Sequence, residues 1–234
     1  GIDPDTDLAL LKTDLTGLSA IETADSDAIN VGDVVMAIGN PYGFGHSVTL
    51  GIISGLERYG LQLSAYENYI QTDAAIHLGN SGGALIDSEG KLVGINTLIY
   101  TGGQDQRSDA NGIGINLATP SNLVNTVMSD LIEYGGVIRG WLGVSVDLLL
   151  GLDEQGRTTQ SLLVTETAPG GPAERAGIQV GDLIIGLEGT AVSDAREAMQ
   201  TIARLRPGDR VLVGLQRQEQ QFEVDAIVAT RPSN

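Results

Sequence analysis

The sequence predicts a mainly β chain in two parts, a front domain of short strands followed by a smaller α+β domain. Three observations predict it. Glycine is abundant, 32 of 234 residues, about twice its ordinary usage, and it clusters in turns between short apolar runs. The hydrophobic period switches from strand-like to helical after Pro120 and back again after Gly136. Charge also steps there. Residues 1–138 hold four basic and seventeen acidic side chains, net −13, and residues 139–234 hold nine and thirteen, net −4. The expected domains are 1–136 and 137–234.

In the front part the expected strands are Asp7–Leu11, Asp33–Ile38, Ser47–Ser54, Thr72–Ile76, Leu92–Ile99 and Ile113–Ala118. Gly39-Asn40-Pro41 and Gly43-Phe44-Gly45 are turn clusters between them. Residues 101–111 form a polar loop without periodicity. Ser121 is placed to cap a helix whose apolar face is Leu123, Val124, Val127, Met128, Leu131 and Ile132, ended by Gly135-Gly136. Behind it the strands are Leu142–Val146, Ser161–Glu166, Leu183–Leu187, Arg210–Gln216 and Gln221–Val228, with helices over Pro172–Ala176 and Ala195–Leu205. The opening GIDPDTDLALL runs from a turn straight into a strand, so the reading expects an upstream segment.

Composition removes whole classes of function. A net charge of −17 is repelled by phosphate backbones and anionic lipid, so no nucleic-acid partner is expected. With no cysteine there is no disulfide framework, Cys-zinc site or thiol nucleophile. No metal and no cofactor are expected. The two histidines are His46 and His77.

The chemistry centres on Gly79-Asn80-Ser81-Gly82-Gly83. A serine hydroxyl becomes a nucleophile when it is held in a tight exposed turn beside a base. Flanking glycines permit such a turn, and the amides of Gly79 and Ser81 can converge on a developing oxyanion. On these five residues alone, a glycine-rich turn with an incidental serine is the other reading. Asp7 alone reads as a solvated turn acid sooner than as a catalytic one.

Longer runs carry more. Gln71-Thr72-Asp73-Ala74-Ala75-Ile76 ahead of GNSGG-Ala84-Leu85, Thr6-Asp7-Leu8-Ala9-Leu10-Leu11, and Ala37-Ile38-Gly39-Asn40-Pro41-Tyr42-Gly43 resemble the HtrA family of serine proteases. The resemblance covers essentially the whole chain. It implies a chymotrypsin-like double β-barrel, the first barrel truncated here, followed by a PDZ domain. It implies Ser81 as nucleophile and Asp7 as the residue that orients the base. The family's histidine lies upstream of that aspartate, and neither His46 nor His77 is expected to replace it. Residues 1–234 alone are therefore expected to be inactive.

The resemblance extends to the pocket. In trypsin an aspartate six residues before the nucleophile receives Lys or Arg; here the position is Ala75, beside Ile76. A cation there would be buried without a partner, so cleavage after small or medium apolar residues such as Val or Ala is expected. Gly114-Ile115-Asn116 resembles an edge strand that pairs with substrate backbone. Many members have glycine where this chain has Asn116. The strand works through its backbone, so no loss is expected. Arg58 resembles a sensor-loop arginine that orders the oxyanion hole; taken alone it is a surface cation of little energetic weight.

Arg139-Gly140-Trp141-Leu142-Gly143-Val144 and Gly171 to Ile185 resemble a bacterial PDZ domain. Successive amides of Trp141, Leu142, Gly143 and Val144 can hold a C-terminal carboxylate with the peptide added as a strand. Met199 and Ile202 would form the facing wall, although Met199 at helical spacing also reads as plain core. A single PDZ resembles the DegS/AlgW regulatory branch. That branch implies a homotrimer in the periplasm, held to the inner membrane by an upstream helix. It implies activation by C-terminal tails of unassembled outer-membrane proteins and cleavage of an anti-sigma factor. A decayed protease that scaffolds peptides through its PDZ is the alternative, and a holdase chaperone a third reading.

Overall fold

The structure is a computed structural model and describes residues 1–43, 45–61, 63–99, 115–152, 158–192 and 194–232. The loop expected over 101–111, together with Phe44 and Gly114, lies outside the described residues. The chain forms two compact units, Gly1–Val137 and Ile138–Asn234.

In the first unit the strands are β1 (Ile2–Asp3), β2 (Leu8–Ala9), β3 (Val34–Gly39), β4 (Ser47–Arg58), β5 (Tyr69–Thr72), β6 (Ala84–Asp87), β7 (Leu92–Ile99) and β8 (Asn116–Pro120), followed by helix α1 (Ser121–Glu133). β1 and β2 form a hairpin. The others close a six-stranded barrel in the order β3-β4-β5-β8-β7-β6. Period-two alternation fills it. Val35, Ala37 and Ile53 face inward with Ile70, Leu85, Val93 and Ala118, all sealed from solvent. Their neighbours Val48 and Leu50 face out at 60% and 71% exposure.

Two expectations are corrected in this unit. The strand expected over Thr72–Ile76 stops at Thr72, because side chains take over the ladder bonds. The Thr72 hydroxyl accepts from the Ala74 amide at 3.0 Å, and the Asp73 carboxylate accepts from the Ile52 amide at 2.7 Å. Ser121 does not cap α1. The cap residue is Pro120, and the Ser121 hydroxyl donates instead to the Ala24 carbonyl at 2.8 Å. The open Asn122 amide finds Ser26 Oγ at 3.1 Å. Of the expected apolar face, Val127 and Leu131 are buried, whereas Ile132 is 69% exposed.

The second unit holds β9 (Gly140–Trp141), β10 (Val144–Leu152), β11 (Thr158–Thr167), α2 (Pro172–Arg175), β12 (Leu183–Leu187), β13 (Thr190–Ala191), α3 (Ala195–Arg204), β14 (Arg210–Arg217), β15 (Gln220–Ile227) and β16 (Ala229–Thr230). Its main sheet runs β10-β11-β12-β14-β15 with β13 beside β12, while β9 pairs β16. Among the described residues β10 is therefore a sheet edge. Asp194 caps α3 by accepting from the amides of Arg196 and Glu197. Leu162, Val164, Val211, Val213 and Leu215 form the centre of the core.

Candidate active site

Ser81 sits between β5 and β6 in a turn that needs its glycines. Gly79 and Gly82 have φ of 98° and 82°, where a side chain is strained. The Asn80 amide donates to the His77 carbonyl at 2.9 Å, and the Gly83 amide to the Asn80 carbonyl at 3.0 Å. β7 holds the far end, with Gly82 donating to Asn96 and Asn96 to Gly83, each at 2.8 Å. The Ser81 side chain is exposed, and its hydroxyl donates to the Thr97 carbonyl at 2.7 Å. Among the described residues the amides of Gly79 and Ser81 have no acceptor.

The turn is pressed against the end of β3. A Cβ on Gly39 would lie 2.3 Å from Asn80 Oδ1 and 2.7 Å from Asn80 Cα; one on Gly83 would lie 2.0 Å from the Ile38 carbonyl oxygen. Buried Asn96 ties the two segments together, its amide nitrogen donating to Ile38 at 3.0 Å and to Ala84 at 3.2 Å. The carboxamide oxygens of Asn80 and Asn96 are buried and accept no hydrogen bond among the described residues.

Asp7 is exposed at φ 58°, just after a turn in which Thr6 Oγ1 bonds Asp3. The Asp5 carbonyl accepts from the Tyr66 amide at 3.1 Å. Burial raises the Tyr69 phenol above its ordinary pKa; its bond to Ser64 opposes this, and the charges of Glu67 and Asp7 add smaller upward pushes. Glu67, buried, gathers the loop between, accepting from the amides of Leu61, Leu63 and Ser64. His46 and His77 are both exposed, and among the described residues neither hydrogen-bonds Ser81 or Asp7. Among the described residues no hydrogen bond joins Asp7 to Ser81.

The segment before the nucleophile is held from several strands. Thr49 Oγ1 donates to the Ala75 carbonyl at 2.7 Å, and Asn116 Nδ2 to the Ala74 carbonyl at 3.0 Å. Ala75 is half-buried and Ile76 buried. The Asn116 backbone is paired on both sides, with Thr72 of β5 and Ile99 of β7, and its side chain is buried. Ile115 is half-buried and precedes β8. Arg58, at the end of β4, donates from Nε to Gln71 Oε1 at 2.8 Å, and its guanidinium lies over Gly55.

In the second unit Leu142 and Ile202 are core residues at 5% and 8% exposure, so their side chains do not line an open wall. Met199 is 40% exposed, Trp141 and Val144 half-buried. Gly143 has φ 79° and lies against the Trp141 ring. The carbonyls of Leu142 and Gly143 accept from Ala173 and Ala168. Among the described residues the Leu142 and Gly143 amides have no acceptor, the arrangement an anion nest requires. Among the described residues no cluster of three His, Cys, Asp or Glu could hold a metal.

Sequence reasoning missed Asn96, Thr97, Thr49 and Glu67. For Asn96, Thr97 and Thr49 the partners lie up to 58 residues away and barrel register brings them together, whereas Glu67 accepts from amides three to six residues before it.

Residues 1–95 match the trypsin-like peptidase domain family and residues 140–228 the PDZ domain family. The chain is 41% identical over 237 residues to serine endoprotease DegS of Escherichia coli K12, covering all of this chain and 66% of DegS. It is 41% identical over 229 residues to periplasmic serine endoprotease DegP of the same strain, covering 96% of this chain and 47% of DegP. The chain thus spans between about half and two thirds of these curated relatives. The solved structure of HtrA-type protease AlgW with decapeptide matches it at TM-score 0.82 and 44% identity, over 100% of this chain and 71% of that one.

Proposed function

The chain belongs to the HtrA-type serine proteases, and we propose that it supplies the nucleophile and regulatory PDZ of a periplasmic serine endopeptidase switched on by C-terminal peptides. Whole-chain likeness to peptide-bound AlgW at 44% identity carries the reading. Ser81 attacks the scissile carbonyl, the free amides of Gly79 and Ser81 receive the oxyanion, and Asp7 orients an imidazole from outside residues 1–234. Neither His46 nor His77 serves as that base, so residues 1–234 alone do not hydrolyse. Ala75, Ile76, Gly114, Ile115 and Asn116 shape the substrate site.

The switch runs through the second unit. A peptide carboxylate enters the nest at Trp141 to Val144, with its backbone along the free edge of β10 and Met199 of α3 opposite. The signal reaches the oxyanion turn through Arg58. The activating peptides are tails of unassembled outer-membrane proteins and the substrate is a membrane anti-sigma factor. The complete protein is a homotrimer anchored to the inner membrane. Among the described residues no helix is long and apolar enough to cross a membrane.

The test is hydrolysis of a reporter peptide by the full-length protein, with an apolar free-acid peptide or its C-terminal amide added. The free acid is expected to accelerate hydrolysis and the amide not. Equal acceleration by both, or no hydrolysis under either condition, contradicts the proposal.

A further inference from the structure

We propose that Asn116 sets the specificity of the cleavage pocket, shortening it so that it takes an alanine-sized side chain and excludes leucine and larger ones. This rests on Ser81 as nucleophile and Ala75 as pocket floor. Asn116 is 5% exposed, and both edges of its backbone are occupied by β5 and β7. Only its side chain is left to act, and Nδ2 is fixed on the Ala74 carbonyl at 3.0 Å, beside the floor.

That floor cannot retreat to make room. The Asp73 carboxylate holds the Ile52 amide at 2.7 Å, the Thr72 hydroxyl holds the Ala74 amide at 3.0 Å, and Thr49 holds the Ala75 carbonyl at 2.7 Å. Behind it Gly51 backs so closely that a Cβ there would lie 2.2 Å from the Ala74 nitrogen. A carboxamide side chain has as many heavy atoms as leucine's. Where a glycine would leave that volume to the substrate, Asn116 fills it. Tethering to a rigid floor keeps the side chain from swinging aside, so size exclusion is sharp.

The test uses the full-length protein and peptidyl phosphonates that differ only in the side chain before the reactive group, alanine, valine or leucine. Labelling of Ser81 is followed by mass spectrometry. A fluorophosphonate with no such side chain is run beside them. The wild-type protein is expected to react at least about tenfold faster with the alanine probe than with the leucine probe. Asn116→Gly and Asn116→Ser are expected to cut that ratio about tenfold or more by speeding the leucine reaction relative to the alanine reaction. Asn116→Ser keeps a hydroxyl for the Ala74 carbonyl, and thermal melts identify any variant that has lost its fold. Equal alanine and leucine rates in the wild type, or an unchanged ratio in a folded variant, overturn the inference. No fluorophosphonate labelling of Ser81 removes the nucleophile premise, and the inference with it.

Discussion

Gly39 is the position where one methyl group should separate fold from chemistry. It lies at the end of β3, far in sequence from Ser81, and a Cβ there would come within 2.7 Å of Asn80 Cα. Ordinary contact begins near 3.4 Å, so the Asn80 backbone must give by 3.4 − 2.7 = 0.7 Å. Asn80 stands between Gly79 and Ser81, so the same shift moves both amides proposed for the oxyanion. Overpacking of this kind costs about 1–3 kcal/mol. A misplacement of this order in a reacting group costs about a hundredfold in rate. Gly39→Ala should therefore remain folded, with a modest loss in urea unfolding of residues 1–234. In the full-length protein its fluorophosphonate labelling of Ser81 should fall about a hundredfold. Gly136 is the control, with nothing within 4 Å of its Cβ position and no positive φ. Labelling of Gly39→Ala at the rate of Gly136→Ala would refute the reasoning.

Other perturbations test the scaffold. Asp182 is 1% exposed and pairs with Arg217 at 2.6 Å; the Arg217 hydrogen bond holds its carboxyl below the ordinary value despite burial. Its contribution is present above the unfolded carboxylate value of about 3.9 and disappears as pH falls through the lower folded value. Urea unfolding of the second unit should show a loss on acidification that Asp182→Asn lacks. At pH 7 Asp182→Asn should cost about 2–4 kcal/mol, below the cost of breaking a wholly buried pair because Arg217 is partly in water. Glu67→Ala should release the amides of Leu61, Leu63 and Ser64, seen as faster hydrogen exchange confined to that loop. Asn96→Ala leaves the Ile38 and Ala84 carbonyls without their donor and should cost about 2–4 kcal/mol in chemical unfolding.

Much of the fold was legible because local rules and tertiary structure agree. β7 and β12 have the bounds expected, Leu92–Ile99 and Leu183–Leu187, since apolar runs closed by turn residues specify them. Disagreement arises where a distant partner displaces the local rule. Ser121 has the residue type and position of a cap, but Ser26 does that work from 96 positions away. The strand expected through Ile76 is cut short by the side chains of Thr72 and Asp73, whose partners lie on β4. In the site, the turn around Ser81 was visible because Gly79, Gly82 and Gly83 flank the serine within five residues. Asn96, Thr97 and Glu67 carry no signal of their own. Asn116 was visible only as a departure from glycine, because its pairing with β5 and β7 depends on strands distant in sequence.

The central claim is that Ser81 is a nucleophile whose base lies outside residues 1–234. One measurement tests it most directly: a fluorophosphonate probe applied to the full-length protein and to residues 1–234, with the labelled residue identified by mass spectrometry. The account predicts rapid labelling at Ser81 in the full-length protein, none in its Ser81→Ala variant, and little in residues 1–234. Labelling elsewhere in the full-length protein, or equally rapid labelling of Ser81 in residues 1–234, would contradict it.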